Sequence, residues 1–279
     1  MCGKQFENRR RPNRIRALLW QQYANDYCTI EQLARKYRRS EKWIRTQLDA
    51  YDLPERTLEP RPVVVVADAM FFGRYWGVVV MRNPHKKENL YWEEITTESP
   101  SVYQWGISDL SQQGFTIQAL VIDGRKGVRE AFPGVPVQMC QFHQIKIVTR
   151  YLTTQPKLDA GKELRATALT LSRSTEIDFT KLLNEWFLRW SGFLKEKTID
   201  PKTRRWHYTH RRLRSAAFSL KRNLFYLFTY KRYPELNIPN TTNCLEGTFS
   251  HTKTAMRIHR GLTRKRKRRL IDFLLRSSN

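Results

Sequence analysis

Apolar positions recur at helical spacing near the amino end. Ile30, Leu33, Ala34 and Tyr37 form one stripe, and Trp43, Ile44, Leu48 (or Gln47) and Tyr51 form a second. Thr29, with Gln32 three residues on, has the pattern of a capping box, and Ser40 can cap the second helix. The spacing over 29–51 therefore predicts two short helices joined at Arg38-Arg39, with Lys42, Arg45 and Thr46 on the exposed side of the second. Such a pair is either an ordinary helical hairpin or a helix-turn-helix whose second helix suits a major groove. Prolines 54, 60 and 62 stiffen the segment that follows.

The pattern then changes period. Residues 63–68 are a continuous apolar run ending in Asp68, as a fully buried strand requires. Strands are expected at 74–81 and 90–96, joined by short turns and so antiparallel. A helix over 101–113 precedes a second buried run at 117–123, which ends in Asp123. A short helix at 126–132 and a strand at 135–142 complete the order β-β-β-α-β-α-β. Strands separated by helices run parallel through right-handed crossovers, so the expectation is a mixed α/β sheet covered on both faces.

From 144 to 239 no strand is visible. Leu182, Leu183, Trp186, Phe187 and Trp190 mark one amphipathic helix, and Leu213, Ala216, Ala217, Leu220, Leu224 and Leu227 another. The segment reads as a helical insertion that ends at Pro239. Helices are predicted over 243–258 and 263–275.

Charge sharpens this division. The 279 residues carry 51 Lys and Arg against 26 Asp and Glu, a net +25. Residues 61–143 are net neutral, whereas 1–60, 144–239 and 240–279 carry +5, +12 and +8. A neutral block rich in Val and Ile, flanked by basic ones, fits a sheet core between surfaces that hold a polyanion. There is no apolar run long enough for a membrane helix, and the basic first sixteen residues lack the core of a secretory signal. Four scattered cysteines argue against a disulfide framework. A cytoplasmic, nucleoid-associated protein without membrane partners is expected.

Two carboxylates at the ends of buried strands, Asp68 and Asp123, open onto the crevice where α/β sheets bind ligands. Either one alone could simply cap the next turn. Two on adjacent strands share a small volume and repel unless a cation neutralises them. Glu246 is one of two acids in 240–279 and lies beside the helical stripe Leu245, Phe249, Thr252, Met256, with Asn243, Ser250 and Lys253 on its side. It is either half of a salt bridge or a carboxylate turned toward an interface. Cys140 and His143, expected to close the last strand, are too few to make a zinc site. Cys2-Gly3-Lys4 is similar to the second knuckle of a zinc ribbon, but no second Cys pair is in reach, so zinc is not expected.

Taken in order, Asp68, Asp123, the Cys-x-x-His of 140–143, and Asn243-x-x-Glu246 after a helical insertion resemble the DDE transposases of bacterial insertion sequences in the Mutator-like superfamily. The stretch 238–247, continuing to His259-Arg260-Gly261-Leu262, is similar to the segment around that family's catalytic Glu. The resemblance implies a ribonuclease-H-like core (61–143 and 240–279) interrupted by an all-helical insertion (144–239), behind a basic arm and helix-turn-helix (1–60). It implies that Asp68, Asp123 and Glu246 ligate two Mg²⁺ (or Mn²⁺) ions for cleavage and strand transfer of double-stranded DNA, both element ends and target. Cys140, His143 and Asn243 would support these acids. Lys42, Arg45, Thr46, Lys253, Arg257, His259, Arg260, Arg264, Lys265 and Arg266 would contact DNA. A homodimer or larger assembly on DNA is implied. A truncated or decayed relative that only binds DNA, and a nuclease that cuts without joining, are the alternatives.

Overall fold

The computed structural model describes residues 12–125 and 127–277. The predicted basic arm falls largely outside them, as does the Cys2 knuckle. From the amino end the elements are α1 (Pro12–Ala24), α2 (Ile30–Tyr37), α3 (Glu41–Asp49), β1 (Pro62–Gly73), β2 (Trp76–Asn83), β3 (Glu88–Ile95), α4 (Pro100–Gln112), β4 (Thr116–Ile122) and β5 (Val137–Met139). Then come α5 (Gln141–Leu152), α6 (Asp159–Leu169), α7 (Glu176–Arg189), α8 (Ser191–Lys195), β6 (Lys197–Ile199), β7 (Trp206–Tyr208), α9 (Arg211–Leu227), α10 (Thr229–Arg232), α11 (Asn243–Ile258) and α12 (Arg264–Ser277). The chain forms two compact units. One is Pro60–Leu245; the other joins the residues up to Glu59 to those from Glu246 onward.

The larger unit is built on a five-stranded mixed sheet of order β3-β2-β1-β4-β5. β1, β2 and β3 pair antiparallel, while β1–β4 and β4–β5 are parallel, as the order of elements predicts. Four consecutive valines occupy the central strand β1, and all are at most 2% exposed. β-Branched side chains pack well on a pleated surface buried on both faces. Pro62, which has no N–H to give a ladder, is tolerated because it is the first residue of the strand.

β1 is longer than the pattern predicts. It continues past Asp68 to Gly73, paired with β2 alone. The parallel pairing with β4 stops at Val66↔Val121. The expected helix at 126–132 is a single 3₁₀ turn, Arg129–Ala131. The strand expected at 135–142 is only Val137–Met139, because Gln141 already opens α5.

Helices α5 to α10 share one apolar core, centred on Leu164, Phe179, Trp186, Leu220 and Phe228. The segment is not all helical. β6 and β7 form a two-stranded hairpin. Its strands are three residues each and mostly exposed, so they carry no buried alternation for a sequence pattern to register. A buried polar network ties this region to the sheet. Arg129 donates to Asn223 Oδ1 at 2.5 Å, Asn223 donates to Gln144 Oε1 at 2.7 Å, and Gln138 and Gln141 both donate to the Leu227 carbonyl.

The second unit is helical. Leu19, Trp20, Leu33, Ile44 and Leu48 of α1–α3 share a core with Ala255, Leu270 and Leu274 of α11 and α12. Residues 240–245 fall with the larger unit and those from Glu246 onward with this one, where the apolar faces of α11 and α12 meet those of the amino-terminal helices. The expected capping box at Thr29 forms in full, and Ser40 caps α3 through the Trp43 N–H. No glycine makes the α2–α3 turn. Arg38 takes the left-handed conformation instead, at φ 50°.

Candidate active site

Register brings the two aspartates together. Val66 and Val121 are the last parallel partners of β1 and β4, and Asp68 and Asp123 each lie two residues beyond them. Side chains two apart on a strand share a face, so both carboxylates emerge on the same side of adjacent strands, where β1 and β4 part. Asp68 is thus not at the end of its strand but at a fork in the sheet.

Both are half-buried. Asp68 accepts from the Ala69 N–H at 2.8 Å and from the Thr242 hydroxyl at 3.5 Å. Burial pushes its carboxyl up to about 6; Asp123 and Glu98 push the same way, and His143 and the Ala69 N–H oppose them. Asp123 accepts from the Arg125 N–H at 2.9 Å, closing the turn after β4. It therefore serves as a turn cap and still faces the crevice.

Cys140 and His143 do not close a strand. Cys140 precedes α5 and His143 lies in its first turn, so the i, i+3 spacing puts them on one helix face. Burial works to raise the fully buried Cys140 thiol, but hydrogen bonding and charge from His143 outweigh it and hold the thiol below its ordinary range. His143 is correspondingly raised, first by its hydrogen bond to Cys140, against burial, and further by Asp68 and Asp123. Its Nδ1 is buried without a hydrogen-bond partner.

Two further residues belong to this site: Thr242, inside the stretch 238–247 but not singled out there, and Glu98, which carried no sequence signal. Thr242 bonds Asp68 and approaches Cys140 Sγ with its backbone N–H at 3.3 Å. Glu98, just ahead of the Pro100 that opens α4, accepts from the buried Tyr103 hydroxyl at 2.7 Å and pairs with Arg125 at 2.7 Å. Its sequence neighbours, Thr97 and Ser99, are ordinary loop residues, and only the tertiary fold brings it near Asp68. A groove of about 450 Å³ opens beside the pair, lined by Asp123, Gly124, Arg125, His143, Lys146, Ile147 and Arg150.

Glu246 is exposed on α11 and belongs to the helical unit, and Asn243 is exposed at the start of that helix. Among the described residues, no three His, Cys, Asp or Glu side chains gather into a group that could hold a metal ion. Asp68 and Asp123 nonetheless fit a hard divalent cation. Mg²⁺ is commonly bound through one or two carboxylates, with water and substrate phosphate completing its shell.

The predicted DNA contacts fare differently from one another. Lys42, Arg45 and Thr46 lie exposed on α3, with Arg45 paired to Glu41 at 2.7 Å. Lys253, Arg257, Arg260, Arg264 and Lys265 are exposed. Two others have structural work within the helical unit. Arg266 makes a two-pronged pair with Asp49. His259 is 5% exposed, stacks on Tyr23 at 3.8 Å between ring centres, and bonds the Tyr23 carbonyl at 2.7 Å. His259 is therefore part of the core rather than a surface phosphate contact.

Among the described residues, no helix is long and apolar enough to cross a membrane. The chain matches no protein-family model and no curated protein.

Proposed function

We propose that this protein is a DNA transposase of the DDE type, with a ribonuclease-H-like sheet as its catalytic core and α2–α3 as a DNA-reading helix-turn-helix. The observation that carries the reading is the placement of Asp68 and Asp123 at the fork between parallel strands β1 and β4. The groove beside them adds a basic wall of Arg125, Lys146 and Arg150, which suits a phosphodiester. Capped, well-formed α2 and α3, with Lys42 and Thr46 exposed, support the helix-turn-helix.

Asp68 and Asp123 would hold the divalent ions, with Glu246 as the third carboxylate by resemblance. When bound, such ions would supply Lewis acidity to an attacking water or 3′-hydroxyl and to the leaving 3′ oxygen. The residues themselves position and neutralise. Thr242 and the Ala69 N–H fix the orientation of the Asp68 carboxylate. The Asp123 carboxylate is fixed by the turn it caps. His143, in the first turn of α5, lines the groove beside Asp123 and would face the scissile phosphate.

The test is Mg²⁺-dependent nicking and joining of a duplex bearing the element's ends, wild type beside Asp123→Asn. Joined products from wild type alone are expected. Nicks without joining would make the protein a nuclease. Binding without either would leave it a DNA-binding relative of the family.

A further inference from the structure

The groove beside Asp123 does not end with the sheet. Helices α5 and α9 lie side by side and antiparallel. Gln144 donates to Ser219 Oγ at 3.0 Å near one end, and Arg212 donates to the Arg150 carbonyl at 2.8 Å near the other. Between them runs a second cleft of about 420 Å³, lined by Tyr151, Tyr208, Arg211, Arg214, Phe218 and Arg222, with Ser215. No Asp or Glu lines it. Arg214 is held in place, its guanidinium 3.5 Å over the Tyr208 ring and hydrogen-bonded to the Leu194 carbonyl. Arg211 and Arg222 are exposed and make no hydrogen bond or ion pair within the described residues.

Residues 144–239 hold 20 Lys and Arg against eight Asp and Glu. Acids pair with some of these bases, Arg189 with Glu163, Arg232 with Glu176 and Lys162 with Asp159, but none lines this cleft. Leaving three arginines in one cleft without an acid costs mutual repulsion that a polyanion would relieve. The helical rise separates Arg211 from Arg222 by about 16 Å, the span of four to five phosphates along one strand of a duplex. Half-exposed aromatic rings between the cations add apolar contact with sugars.

We infer that the α5–α9 cleft is a second DNA-backbone site, which holds duplex flanking the segment that enters the groove at Asp123. It rests on the DNA reading above, and it assigns phosphate contacts to Arg211 and Arg222, neither of which the sequence pattern singles out.

The test uses the full chain and a fluorescein-labelled 30-bp duplex, with affinity measured by anisotropy over a salt series. Arg211→Gln/Arg222→Gln is compared with wild type and with Arg189→Gln, an exposed arginine outside the cleft. Each lost phosphate contact lowers the slope of log K against log salt by about 0.9, so the double variant should be shallower by about 2. Arg189→Gln should keep the wild-type slope. Wild-type slope in the double variant, with wild-type binding and cleavage intact, would overturn the cleft assignment and leave the proposed function standing. Absence of duplex binding by wild type would overturn both.

Discussion

The reassignment of His259 from surface contact to core residue can be tested sharply. Its ring stacks on Tyr23, and its Nε2–H donates to the Tyr23 carbonyl, in the last turn of α1 where no intrahelical N–H is available. His259→Ala removes a buried ring and strands a buried acceptor. Losing the ring costs about 2 kcal/mol or more by burial and cavity formation, and the unpaired carbonyl adds about 1–3 kcal/mol. The sum is on the order of 3–4 kcal/mol, a severe loss for a unit this small. His259→Phe keeps the stacking and should cost only the stranded carbonyl, about 1–3 kcal/mol. A pH signature accompanies this. Burial holds the imidazole below its ordinary value and outweighs the carbonyl bond, which favours the proton. The unfolded chain binds that proton near 6.5, the folded chain only at lower pH. Stability from this residue is therefore complete above about 6.5 and declines as pH falls through the folded value, by at most about 1.4 kcal/mol per pH unit. Urea denaturation of wild type and both variants between pH 5 and 8 measures all three effects. If His259→Ala lost less than about 0.5 kcal/mol while duplex affinity fell, His259 would be a surface DNA contact and the packing argument would be refuted.

Four further outcomes are expected. Asp68→Asn should abolish Mg²⁺-dependent cleavage yet stabilise the metal-free protein at pH 8 by on the order of 2 kcal/mol, because a carboxyl raised to about 6 is ionised at a cost there; equal or lower stability by denaturation would contradict its burial. Arg38→Gly should raise the melting temperature, since a left-handed non-glycine residue carries about 1 kcal/mol of strain, partly offset by glycine's unfolded-state entropy; a lower melting temperature would count against that strain. Arg129→Ala should destabilise by about 2–4 kcal/mol through the unpaired Asn223 and the vacated space over Tyr226, with a denaturation midpoint near wild type as the contrary result. Arg269→Ala should cost about 1–2 kcal/mol because this side chain bonds the Asp49 and Tyr51 carbonyls, whereas Lys265→Ala should change duplex affinity and leave the melt untouched.

Much of this architecture was legible because its signals are local. Four valines in a continuous apolar run and the short polar turns after it announce a central strand and its antiparallel neighbours without reference to the rest of the chain. Helix α11 matched its expected bounds, and Thr29 and Ser40 marked helix starts through bonds that reach only three residues. Asp68 and Asp123 stood out because a carboxylate closing an apolar run is rare and costly. What lay beyond reach depends on partners distant in sequence. Glu98 joins the aspartates only once α4 and β4 are folded against β1. Thr242 meets Asp68 across 174 residues. His259 looked like a phosphate contact among its arginine neighbours, yet its partner lies 236 residues away, in α1. The antiparallel pairing of α5 with α9, which gathers unpaired arginines into one cleft, rests on an apolar core and a buried polar network shared between helices distant in sequence. Sequence by itself determined the longer helices and the buried strands of the sheet, and which carboxylates were worth attention, because those depend on spacing and caps within a few residues. Tertiary structure decided which side chains share a site and which charges remain unpaired, because burial and electrostatics act between groups brought together only by the completed fold.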